Sequence, residues 1–548
     1  MSLLAFSIIS VPASVGSSAL FSRNTLLRTR VRNELSTNSR KKRFHVRKSI
    51  RRFSNLQPYV IECRVQDAPV LSKSSGSRKV ALIALGCPKN TVDAEVMLGD
   101  LVSRGFEIVG EAEEADCIIV NTCAFVEDAK AESVEHILEA ANLKKNGTVR
   151  GIVVTGCLAQ RYSSELALEL PEVDSVVGFA HYNTLPDTVE MILSRTTEHN
   201  NTRKGQAPAT AVMPMVSVGE ATVPFRAEWD RKRLTPKHYA YLRVAEGCDH
   251  ACSFCSIPSF RGKFRSKGWD EIMNEARRLV DSGVRELNLI AEDTNQYGMD
   301  FGPKDKRRLA DLLYALAEID GLKWIRILYA YPSYFSEELV AAIRDIPSVV
   351  KYIDMPLQHI SDPVLRAMNR PPYESTYALL ERLRREIPDL ALRTTFISGF
   401  PGETEEDHRR LVDFVRDFKF ERGGVFSYSE EEGTSAFLLK DLMIPDEVRF
   451  ARRDELMSVL QEISFQKARE TVGRTLRIML DEILYDVSGR PRSGIGRTVA
   501  DAPDIDCGVE VSQLPDDARE GDVVMAKVSG AIDSDLLAEC VSNNVYAS

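Results

Sequence analysis

The densest chemistry in this 548-residue chain lies in one short loop, Cys248-Asp249-His250-Ala251-Cys252-Ser253-Phe254-Cys255. Three thiolates at this spacing suit an iron-sulfur cluster, because soft sulfur ligands hold iron and a 4Fe-4S cube takes one ligand per iron. Three protein ligands leave one iron open to a small molecule, and S-adenosylmethionine can chelate it through its amino and carboxylate groups. Zinc is the rival reading. A structural zinc site wants a fourth Cys or His, and His250 stands inside the loop to supply one.

Three more cysteines share a pattern of their own. The β-rich runs at 80–85, 117–121 and 151–155 each end within two residues of a cysteine, namely Cys87, Cys123 and Cys157, and helical sequence follows each one. In an open parallel sheet the carboxyl ends of the strands lie along one edge, where ligands bind, so these thiols are expected to converge. A single buried cysteine is more often an inert core thiol. Three at equivalent strand ends argue the other way. Cys117, inside a strand run, is expected to be core, and Cys63, Cys507 and Cys540 have no partner pattern.

These thiols need a scaffold, and alternating strand and helix runs make the fold class α/β. An N-terminal open parallel α/β domain is expected over residues 79–195, followed by a polar, proline-containing linker over 196–237. Strand runs then recur at 239–245, 286–291, 324–328, 352–355, 391–397 and 424–428. They predict a partial (β/α)6 barrel of the TIM type over 238–470, with its chemistry on the loops after the strands. A long helix over 445–471 closes that region, and the turn-rich tail over 471–541 reads as a small antiparallel β barrel.

Composition narrows the setting. With 44% apolar and 28% charged residues the chain can bury several cores, and no window of about 18 apolar residues predicts a transmembrane helix. Residues 1–66 carry thirteen Arg or Lys against two Glu and are rich in serine, the composition of an organelle transit peptide. The Ser-rich uncharged start favours the chloroplast stroma, with the mitochondrion as the alternative. Its removal would take the net charge from −9 to −20, a field that repels phosphate backbones and favours a basic partner. Ten cysteines in such a compartment point to metal rather than disulfides.

Gly86-Cys87-Pro88-Lys89-Asn90, Asn121-Thr122-Cys123-Ala124-Phe125, Thr155-Gly156-Cys157-Leu158 and Glu246-Gly247-Cys248-Asp249-His250 together resemble the radical-SAM methylthiotransferases, and within them the RimO type. The resemblance runs over nearly all of residues 79–540. It implies a second 4Fe-4S cluster on Cys87, Cys123 and Cys157, whose open iron carries the sulfur to be transferred. It also implies that strand-end segments line the S-adenosylmethionine site through Asp293, Thr294 and Gln296, through Gln358, and through Arg393, Phe396, Gly399, Phe400 and Pro401. The plainer reading of Gly399 and Pro401 is a turn into the next helix. His359 reads as a structural histidine.

By the same resemblance the substrate is an aspartate of plastid ribosomal protein S-12 (free or in the small ribosomal subunit), and the product is 3-methylthioaspartate. One S-adenosylmethionine would give the methyl group and a second the radical. An electron donor such as ferredoxin or flavodoxin and a sulfur donor are implied partners, with no membrane. The tail resembles a TRAM domain, often an RNA-binding module. Its fourteen acidic residues, Asp501, Asp504, Asp506, Asp516 and Asp517 among them, outnumber seven Arg or Lys, so direct RNA binding is not expected. Cys507 stands where the resemblance leads one to expect glycine. Two alternatives remain: a MiaB-type enzyme acting on tRNA adenosine, and a non-catalytic zinc-binding module.

Overall fold

In this computed structural model the described residues are 78–202, 213–225, 231–486 and 489–542. The predicted transit segment and Cys63 lie outside them. Branched apolar runs form the first sheet, whose strands are β1 (Arg78–Ala84), β2 (Phe106–Ile108), β3 (Cys117–Thr122), β4 (Gly151–Gly156), β5 (Ser175–Val177) and β6 (Met215–Ser217). All pairings are parallel, in the order β2-β1-β3-β4-β5-β6. Residues such as Val80, Ile118, Ile119, Val120 and Ile152 are wholly buried, as a parallel sheet covered on both faces requires.

Three of these strands differ from the sequence reading. β2, β5 and β6 have three residues each, too short to show a period. β6 falls in the stretch read as a linker, yet it pairs with β5 and completes the sheet, while the helix Leu185–Thr202 runs into the start of that stretch.

The second sheet contains β7 (Tyr239–Arg243), β10 (Glu286–Ile290), β11 (Trp324–Ile327), β12 (Val349–Asp354), β13 (Ala391–Ser398) and β14 (Arg422–Ser427). Between β7 and β10 a two-residue ladder joins β8 (Ala245–Glu246) to β9 (Arg265–Ser266). The order β14-β13-β12-β11-β10-β7 sets each strand beside its successor, the topology of a partial β/α barrel. Its outer face packs on helices through a core that includes Leu242, Ile272, Leu279, Leu312, Ile343, Leu383 and Leu411. Among the described residues no helix is long and apolar enough to cross a membrane.

The helix Asp446–Thr471 leads into a closed five-stranded barrel of β15 (Thr475–Tyr485), β16 (Pro491–Thr498), β17 (Val509–Ser512), β18 (Val523–Ile532) and β19 (Asp535–Ser542). One pairing, β17 with β19, is parallel, so this barrel is not purely antiparallel.

The loop between β16 and β17 plugs the end of the partial barrel at which its strands begin. Arg422, the first residue of β14, donates to Asp501 at 2.5 and 2.8 Å. Tyr239 and Tyr241 donate to Asp504 at 2.7 and 3.2 Å, and Tyr352 donates to Asp506 at 2.7 Å. Arg497 bridges Glu286 and Asp481, each at 2.8 Å, while His238 meets Asp481 at 2.8 Å. Part of the tail's acidic surplus is thus spent on the barrel, where Asp501, Asp504 and Asp506 meet phenols and guanidiniums that sequence order hides, while Asp516 and Asp517 stay exposed.

Candidate active site

The plug closes one end, so the open end of the partial barrel carries the chemistry. Cys87 directly precedes the helix Pro88–Ser103, Cys157 opens the helix Cys157–Arg161, and Cys123 follows β3. Gly86, at φ +93°, lets β1 end against β3: a Cβ there would stand 2.9 Å from Cys123 Cβ and 3.0 Å from its sulfur. Asn90 ties the three strand ends together. Its amide nitrogen donates to the carbonyls of Leu85 (2.9 Å) and Thr122 (3.0 Å), and its side-chain oxygen lies 3.5 Å from Cys157 Sγ. The three thiols lie close enough to influence one another electrostatically.

Cys248, Cys252 and Cys255 follow β8, and Gly247 at φ +76° turns the chain into their loop, where a Cβ would meet the Lys263 carbonyl at 2.1 Å. Cys248 and Cys255 are pushed up to about 12 by burial, with their neighbouring thiols adding to the effect. Burial likewise pushes Cys157 up to about 11 and raises Cys123. A cation must therefore draw off these protons.

N–H groups aim at most of these sulfurs. The amides of His250, Ile257 and Phe125 serve Cys248, Cys255 and Cys123, and the guanidiniums of Arg370 and Arg261 reach Cys252 at 3.8 Å and Cys157 at 3.7 Å. Such donors stabilise thiolates that carry the negative charge of an iron-sulfur cluster. The zinc reading fits less well. His250 is turned away from the sulfurs: its Nε2 meets Asp293 at 2.6 Å, and its ring stacks on Tyr331 with centroids 3.6 Å apart. The donors aimed at Cys248, Cys252 and Cys255 suit a cluster with an open iron on this loop.

The nine cofactor candidates divide. Asp293 and Gln296 lie on the segment after β10; Asp293 holds His250, and Gln296 Oε1 is buried without a hydrogen bond. Thr294 is structural, its hydroxyl donating to the Leu328 carbonyl at 2.5 Å. Gln358 takes φ +73° at the carboxyl end of β12, as Tyr329 takes +60° after β11; left-handed backbone at non-glycine residues concentrates at working sites. The rest are not brought to this rim by their side chains. Arg393 points to the plugged end, between Asp354 (2.9 Å) and Asp506 (3.4 Å). Phe396 packs in the helix-side core against Phe420, and Phe400 packs edge-on to Tyr428. Gly399, at φ +75°, passes against Arg449 while its amide donates to Glu403 at 2.7 Å, and Pro401 is buried beside it. The turn reading of this segment accounts for these contacts.

Sequence reasoning missed the charged layer joining the two triads. Arg261 is buried and donates to Glu246 (3.1 Å), Asp93 (3.1 Å), Asn90 (2.7 Å) and Cys157; Arg243 pairs with Asp93 (2.5 Å) and Glu246 (2.6 Å). Beside them Glu292, its side chain 2% exposed, has neither oxygen hydrogen-bonded and lies 3.8 Å from Arg261. Burial, with help from Glu246, raises it to about 7 against the pull of Lys89 and Arg261. The available signal was a charged residue inside a strand run, Arg243, and the polar face Lys89, Asn90 and Asp93 on a buried helix turn.

Fold and site together define a radical-SAM enzyme with an additional cysteine-bearing α/β domain. The pattern of the Radical SAM superfamily matches residues 242–415, that of the uncharacterized protein family UPF0004 matches residues 79–178, and that of the TRAM domain matches residues 472–541. The chain is 42% identical to the ribosomal protein uS12 methylthiotransferase RimO of Desulfitobacterium hafniense (strain Y51), over 85% of this chain and 99% of that protein. It is 45% identical to the RimO of Symbiobacterium thermophilum over 84% of this chain and 90% of that one, and 42% identical to that of Clostridioides difficile (strain 630) over 84% and 98%. Among solved structures, TsrM, a radical S-adenosylmethionine methyltransferase from Kitasatospora setae, superposes with a TM-score of 0.45 at 16% identity, over 66% of this chain and 77% of that one. The chain belongs to the RimO family of radical-SAM methylthiotransferases, enzymes that use S-adenosylmethionine and an iron-sulfur cluster.

Proposed function

We propose that this enzyme methylthiolates the β-carbon of an aspartate in ribosomal protein S-12 to 3-methylthioaspartate, using two 4Fe-4S clusters. The carrying observation is that two triads of thiols, one from each domain, are joined through one buried guanidinium, Arg261, which contacts Cys157 and leads directly into the turn whose Gly262 carbonyl accepts from the Cys248 amide. Cys248, Cys252 and Cys255 would hold the cluster that binds S-adenosylmethionine, and Cys87, Cys123 and Cys157 the second one. When bound, these groups supply reductive carbon-sulfur cleavage, hydrogen abstraction and the sulfur to be transferred. The chain's own part is to orient, to neutralise and to exclude water: Asn90 fixes the strand ends, and Arg261 and Arg370 offset thiolate charge.

The relatives named above act on uS12, which favours a protein aspartate over the tRNA alternative. Anaerobic reaction with purified S-12 and, separately, with tRNA decides it. The reading requires the mass of one added CH2S on an aspartate; a methylthiolated nucleoside with unmodified protein overturns it. We further propose that an electron donor such as ferredoxin or flavodoxin and a sulfur donor serve the enzyme. Residues 1–66 are proposed as a plastid address, which import of the full chain into isolated chloroplasts with loss of that segment would support and import only into mitochondria would refute.

A further inference from the structure

Lys89 lies two residues beyond Cys87 and is 6% exposed. Its ammonium donates to the Ala291 carbonyl at 3.2 Å and sits 3.5 Å above the ring of Tyr329, a residue held at φ +60°. Among the described residues it makes no ion pair, although Cys87 and Glu292 are near enough to act on it. An ammonium has three donors, and a carbonyl and a ring face leave one unused. Burying a cation with no anion hydrogen-bonded to it is costly, so this ammonium is expected to meet an anion when at work.

We propose that Lys89 receives the side-chain carboxylate of the substrate aspartate, an inference that rests on the protein-aspartate reading above. In aspartate the carboxylate is bonded directly to the β-carbon, the atom that is to gain sulfur. A cation two residues from Cys87 would set that carbon beside the N-terminal triad. A neutral nucleobase offers this ammonium no counter-charge, so Lys89 is a specificity-determining residue.

The test compares two substrates in two enzymes. Anaerobic holoenzyme, with iron content and cluster spectra checked, is titrated with S-12 carrying its target aspartate and with the Asp→Asn form, and KM and kcat are measured for both. In the wild type the Asn form should bind at least about 10-fold more weakly, the loss of a charge-assisted hydrogen bond. In Lys89→Met both forms should bind equally weakly, and Lys89→Arg should restore part of the preference. An undiminished preference in Lys89→Met, or no preference in the wild type, overturns the inference. If Lys89→Met loses iron, Lys89→Arg and the wild-type comparison still decide. Should the wild type leave S-12 unmodified while modifying tRNA, the functional reading itself has failed, a result distinct from S-12 modified without regard to Lys89.

Discussion

Arg261, at the end of the short helix Ile257–Arg261, donates to Cys157 Sγ at 3.7 Å although the two residues stand 104 positions apart. The same guanidinium holds Asp93 and Glu246, so with Arg243 it ties the domain bearing Cys87, Cys123 and Cys157 to the strand end that leads into the loop bearing Cys248, Cys252 and Cys255.

Replacing Arg261 by Met leaves Asp93 and Glu246 buried and sharing Arg243 alone. Removing one partner of a buried charge network costs about 3–5 kcal/mol. We expect a clear drop in the thermal midpoint of the purified protein, measured by circular dichroism, together with loss of the cluster on the N-terminal triad. An unchanged midpoint and unchanged iron content would show that Arg261 does not join the domains.

The plug should be as sensitive. Arg497 bridges Glu286, fully buried at the start of β10, and Asp481 of β15. Arg497→Met strands Glu286 with Arg326 alone, and the expected loss is again of the order of 3 kcal/mol. Limited proteolysis should then release the tail near residue 472, whereas the wild type should resist. Equal resistance in both would argue that the loop contacts hold the tail without Arg497.

His359 gives a pH dependence of known sign. Burial holds it down to about 3, and its Nδ1 accepts the Ser361 amide at 3.0 Å, so it is neutral when folded. The unfolded chain takes up that proton near 6.5, so this stability is present above 6.5 and is lost as pH falls toward 3. At pH 5 the loss is about 2 kcal/mol. His359→Gln should flatten the fall in thermal midpoint between pH 7 and pH 5; an equally steep fall would place the titration elsewhere.

Much of this site was legible because its thiols follow strands, and strand ends can be read from runs such as 80–85 and 151–155 without knowing any contact. The six barrel strands were legible for the same reason. The three-residue strand β6 was not, since nothing local distinguishes it from a linker. The internal roles of Asp501, Asp504 and Asp506 were not legible because a count of charges carries no direction: their partners Arg422, Tyr239 and Tyr352 lie far away in sequence. Phe396 and Arg393 share a strand with the site, but Phe396 faces the helix-side core against Phe420 and Arg393 meets Asp506 of the tail, a partner that no local pattern announces.

The central claim is that two triads hold two clusters independently. Iron and acid-labile sulfide, with Mössbauer spectra, should be measured on anaerobically prepared wild type and on chains in which Cys87, Cys123 and Cys157, or Cys248, Cys252 and Cys255, are replaced by Ala. The account requires about eight irons in the wild type and about four in each variant, all as 4Fe-4S. A wild type with only about four irons, or an N-terminal variant that keeps the full complement, would contradict it.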